Sequence, residues 1–115
     1  MPSQLSNHSK LLNYLMQARK DMQAGRLSMH IGEPNVDRFW GLIIGYHACQ
    51  CDHGVDDVEY GQFLDWLTEK GEYPTEGWAA KYLRDCGGEP EQAIRKYLDL
   101  VAEFLASHRQ ETAEK

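Results

Sequence analysis

Four side chains within one short stretch could bind a metal ion or act as nucleophiles: His47, Cys49, Cys51 and His53. Imidazole and thiolate are the common ligands of zinc, and a thiolate beside a histidine is the nucleophile of cysteine enzymes. Spacing limits both chemistries. On a helix, residues i and i+4 share a face, so His47 and Cys51 could meet one ion. Cys49 and His53 form a second such pair on a different face. The four cannot close one tetrahedral site while the segment stays helical, and no second pair of ligands follows elsewhere. His47 and Cys51 are the best-placed metal candidates. The reading adopted is two small semi-buried thiols and a histidine at the edge of a core helix, with no cofactor.

Other catalytic arrangements fail on similar grounds. Asp52, Asp56 and Asp57 would raise the pKa of nearby thiols, and Cys86 falls at a helix C-terminus, where the dipole opposes thiolate. The carboxylate pairs Asp56 with Asp57, Asp65 with Glu69 and Glu72 with Glu76 fall on expected solvent faces or caps, whereas acid–base work needs one partner desolvated. Gly87 and Gly88 follow a helix rather than a strand, so they are not a phosphate loop, and no serine elbow is present. The chain is expected not to be an enzyme.

These residues must be positioned by helices. A first helix is predicted from Gln4 to Ala24, capped by Ser3 and ended by Gly25, with Leu11, Leu12, Leu15, Met16, Arg19 and Met22 as its stripe. The connector Arg26–Pro34 alternates Leu27, Met29 and Ile31 with Ser28 and His30, an extended pattern without a partner strand. Asn35 caps a second helix to Cys51, with Val36, Phe39, Trp40, Ile43, Ile44 and His47 on one face. Gly41 and Gly45 each cost this helix roughly 1 kcal/mol. They imply close packing by another element and mark this helix as central. Asp56 or Asp57 caps a third helix to Lys70, lined by Tyr60, Phe63, Leu64 and Leu67. Thr75 caps a fourth, carrying Trp78, Ala79, Tyr82, Leu83 and Cys86. Pro90 opens a fifth, whose Ile94, Tyr97, Leu98, Val101, Phe104, Leu105 and His108 hold the helical period. The fold expected is all-α: one compact domain over residues 1–109, about five helices with one extended connector, and a flexible tail over 110–115.

The 115 residues suit one domain with a core of its own. Eighteen acidic residues against twelve basic ones give a net charge of −6. That disfavours nucleic acid as a partner and suits a basic protein surface. No run approaches the ~20 apolar residues of a membrane span. Three cysteines, an odd number, and an N-terminus without a signal pattern point to reduced thiols in the cytoplasm. Most aromatics fall on inward stripes. Trp66 lies off its helix's inner line, flanked by Asp65 and Glu69, and is expected to be partly exposed, as an interface anchor or as cover for a helix junction.

One order of residues resembles a family. Arg26-Leu-Ser-Met29-His-Ile-Gly32 is followed by Gly45-Tyr46 late in a helix. Next come Tyr60-Gly-Gln-Phe63-Leu-Asp-Trp66-Leu, then Gly77-Trp78, then a last helix closing on Glu103-Phe104-Leu105. The pattern is similar to small bacterial proteins encoded beside polymorphic or contact-dependent toxins, over about Arg26 to Leu105. Leu27 stands where that family often has proline, and His30 where it has tyrosine. The resemblance implies an immunity protein: a stoichiometric binder that neutralises one cognate toxin domain. The expected docking residues are Asp52, Asp56, Asp57, Glu59, Asp65, Trp66 and Glu69, facing a basic toxin surface. The alternatives are a metal- or ligand-binding regulatory domain at His47 and Cys51, or a homodimeric structural protein using Gly41 and Gly45.

Overall fold

A computed structural model describes residues 8–113, and within them the chain forms six helices and no strand. They are α1 (Lys10–Gln23), α2 (Ser28–Ile31), α3 (Val36–Asp52), α4 (Val58–Glu69), α5 (Trp78–Asp85) and α6 (Pro90–Ala113). The five longer helices are those the apolar periodicity predicts. The sixth, α2, is a single turn where an extended connector was expected. Its pattern is too short for a period to show, and His30 ties it to α1 at both ring nitrogens.

Starts and stops follow side-chain chemistry. Asn35 and Asp57 cap α3 and α4, accepting from the backbone N–H groups of Arg38 and Tyr60. Ser9 caps α1, its Oγ accepting from Leu12 N–H at 3.0 Å, so α1 begins later than expected. The proposed cap Ser3 lies outside the described residues. Four helices end in the same motif. The residue after a left-handed glycine (Gly25, Gly54, Gly71, Gly87) donates back to a carbonyl five residues earlier, as Val55 N–H does to Gln50.

The cap predicted at Thr75 is instead Gly77, at φ 92°. It cannot be replaced cheaply, because a Cβ there would collide with the Trp40 indole as well as strain the backbone.

The central helix is α6, not α3 as expected. It packs against α1, α3, α4 and α5. Ala93, Ile94, Tyr97, Leu98, Val101, Phe104 and Leu105 are all buried along its length, a longer apolar stripe than α3 possesses. At its middle, Trp78 stacks on Tyr97 with centroids 4.4 Å apart. Phe39 and Phe63 meet Tyr97 edge-on, each at 5.8 Å. Helix α6 continues through Ala113, past position 109, where a tail was expected.

Helix α3 is rotated from the expected register. Val36, Phe39, Ile43 and Gln50 are buried, whereas Ile44 is 54% exposed. The close packing expected over Gly41 and Gly45 is not present within the described chain, since a Cβ at either would have no neighbour within 4 Å.

Candidate functional site

The corner between α3 and α4 gathers most of the residues singled out in the sequence. After the Gly54 turn the chain passes Val55, Asp56 and Asp57 and enters α4 at Val58. Val55 and Val58 are 46% and 58% exposed. Asp52 and Asp56 flank them, also exposed. Along α4 the steps of four, three and four residues from Val58 reach Gln62, Asp65 and Glu69, a continuous outer stripe whose members are all exposed. The result is an exposed face that begins at two valines and continues along α4 past Gln62, Asp65 and Glu69.

Two expected members of that face belong to the fold instead. Glu59 is 3% exposed. Its Oε1 accepts from Ser9 N–H at 2.7 Å and from Arg109 Nη2 at 2.9 Å, and its Oε2 accepts from Arg109 Nε at 3.2 Å. Burial pushes this carboxyl up, but the bonds from Arg109 and Ser9 outweigh it and hold it below the usual carboxylate range. Asp57 is half-buried, capping α4 through Oδ1 and accepting from Ser9 Oγ at 2.7 Å through Oδ2. Glu59 and Asp57 therefore join the start of α1 to α4, and Glu59 also holds the end of α6.

Trp66 is half-buried. Its ring stacks near Phe63 at 6.1 Å and lies tilted against Phe104 at 5.5 Å, and Lys70 Nζ sits 4.8 Å over it. It covers the α4–α6 junction with one edge open.

The cysteine and histidine side chains pair as helical spacing requires. Cys51 Sγ lies 3.9 Å from His47 Nε2, and Cys49 Sγ lies 3.7 Å from His53 Nδ1. His53 Nδ1 also donates to the Cys49 carbonyl at 2.9 Å. The His47 ring rests against Tyr60, centroids 4.9 Å apart. Among the described residues no three His, Cys, Asp or Glu side chains are arranged to hold an ion.

Two polar networks join residues most of which no local spacing links. Asp21, 8% exposed, accepts from His30 Nε2 at 2.7 Å, and His30 Nδ1 lies 2.7 Å from the Tyr14 hydroxyl. A carboxylate can only accept, so Nε2 carries a proton and a neutral imidazole accepts from Tyr14. The His30 bond, helped by Gln17 and by the Arg26 charge, holds the Asp21 carboxyl below its ordinary range. Burial, then the Asp21 charge, pushes the Tyr14 hydroxyl up. The second network is a ring of ions. Lys81 and Lys96 each bridge Glu72, at 3.2 and 3.3 Å, and Asp85, both at 2.7 Å. The two lysine bonds pull Asp85 down to about 2. A sequence signal existed for the Lys81–Asp85 pair alone, four residues apart on one helix.

No helix among the described residues is long and apolar enough to cross a membrane. Comparisons with protein-family models, curated proteins and solved structures found no match to this chain.

Proposed function

We propose that this chain is an immunity-type binding protein that docks on a basic toxin domain through the α3–α4 corner. The carrying observation is exposed Val55 and Val58 on either side in sequence of exposed Asp56 and near exposed Asp52, with exposed Asp65 and Glu69 further along α4 on the same helical stripe as Val58. Exposed apolar area supplies affinity, and the carboxylates steer a cationic partner and raise its association rate. The net charge of −6 acts in the same direction. Trp66, open at one edge beside this stripe, supplies an aromatic anchor.

The experiment is binding of the purified chain to the C-terminal domain of the protein encoded immediately upstream, with the association rate followed against salt. Reversing Asp52, Asp56, Asp65 and Glu69 to Lys should slow association and weaken the complex while the helical signal stays intact. An unchanged association rate and dissociation constant would remove the assignment to this corner. Asp57 and Glu59 are left out of the variant because their reversal would break the fold itself.

A further inference from the structure

We propose that His47 and Cys51 are one half of a zinc site, completed by His47 and Cys51 of a second copy of this chain. Around tetrahedral zinc, with Zn–S about 2.3 Å and Zn–N about 2.0 Å, a sulfur and a nitrogen ligand stand about 3.5 Å apart. Cys51 Sγ and His47 Nε2 are separated by 3.9 Å, close to that edge. The imidazole is oriented by the Tyr60 ring, so its Nε2 is already turned to the thiol. Both ligands lie in the last turns of α3, at the negative end of its dipole, and exposed Asp52 adds charge of the same sense.

The companion pair is less suitable despite its 3.7 Å separation. His53 Nδ1 is committed to the Cys49 carbonyl at 2.9 Å and would have to lose that bond to ligate through the same atom.

A single chain offers this ion two ligands, and no third His, Cys, Asp or Glu stands ready among the described residues. The surface beside the pair fits a second copy. At about 100° per residue, Cys51 is followed around α3 by Ile44, then Ala48, Gly41 and Gly45. Ile44 is 54% exposed, Ala48 is exposed, and neither glycine has a neighbour within 4 Å of a built Cβ. Two glycines thus weaken α3 with no packing return inside the described chain. A symmetric α3–α3 contact uses them, because small side chains let two backbones come near while Ile44 is covered from both sides. Two-fold symmetry then places two sulfurs and two nitrogens around one ion, the S₂N₂ set zinc prefers.

The inference is independent of the toxin-binding proposal and is tested without a toxin. The full chain is stripped with EDTA, then loaded with zinc chloride alone, and its mass and metal content are measured by sedimentation equilibrium and elemental analysis. The expected result is a monomer that becomes a dimer holding one zinc per two chains. Cobalt in place of zinc should give tetrahedral visible bands with thiolate charge transfer. Cys51→Ser should lose the retained metal, the charge-transfer band and the dimer together, while Cys49→Ser keeps all three. Because Cys51 is exposed, its variant should keep wild-type helicity, which circular dichroism checks. A mass unaffected by zinc, one zinc bound per monomer, or equal loss in Cys49→Ser would each overturn the proposal.

Discussion

The middle of this molecule and its ends are held by different physics. At the middle, Trp78, Tyr97, Phe39 and Phe63 interlock around α6 with almost no exposed surface. At the ends, single carboxylates hold chain segments together: Glu59 joins α1, α4 and α6, and Asp21 holds α2 to α1. The aromatic centre draws on apolar burial, which does not titrate. The carboxylate nodes depend on charge and are strong only while the acid is ionised. The two nodes also differ from each other. Arg109 is a permanent cation, whereas His30 makes its bonds in either protonation state. The contrast implies that acid should loosen the ends before the middle.

The largest expected effect tests the centre. Trp78→Ala should cost about 4 kcal/mol in chemical denaturation, with nearly the same loss at neutral and acidic pH. A loss that varied strongly with pH would erase the contrast. Gly77→Ala should cost about 3 kcal/mol, from left-handed strain and collision with Trp40. Combined with Trp40→Ala it should cost less than the sum of the two, since the collision is then gone.

Glu59→Gln should cost about 2 kcal/mol at pH 7, where it removes the charge that Arg109 and Ser9 bind. The sign with pH follows from the depressed carboxyl. Its stabilisation is complete above the unfolded-state pKa and vanishes as pH falls through the lower folded value. The gap between wild type and Glu59→Gln should therefore close in acid, and a constant gap would mean that charge is not what Glu59 supplies. His30→Ala should act more locally. Amide exchange at Met29, His30 and Gly32, whose N–H groups bond within the α2 turn, should quicken while core amides stay protected. The smallest effect is expected on the outer stripe, where Asp56, Asp65 and Glu69 reversed together should shift stability by about 0.5 kcal/mol or less.

The same division governs what could be read in the sequence. The centre was legible because burial imposes a period. Phe39, Phe63, Trp78 and Tyr97 each sit on a helical apolar stripe, and each is buried. The caps Asn35 and Asp57, and the glycine stops at 25, 71 and 87, were legible because those bonds are local. The nodes were not. A glutamate just past an aspartate cap has the pattern of a solvated dipole partner, and the arginine that buries Glu59 lies 50 residues away. The alternation at Leu27, Met29 and Ile31 has the look of extended chain, whereas burial of Leu27 and the long-range bonds of His30 and Arg38 hold a helical turn there. The face of α3 was read one step off, since His47 and Ile44 extend an apolar series that Gln50 completes in their place. Of the seven residues expected to dock a partner, exposed Asp52, Asp56, Asp65 and Glu69 and half-buried Trp66 remain available, while Asp57 and Glu59 are taken by the fold.

Glu59 has one more consequence. A single carboxylate oxygen binds the backbone of Ser9 and the guanidinium of Arg109, residues 100 positions apart in numbering. The path from Ser9 to Arg109 is thus nearly a ring. A short linker joining those two regions, with a new opening in the exposed turn at Gly87 and Gly88, should yield a permuted chain with every helix intact.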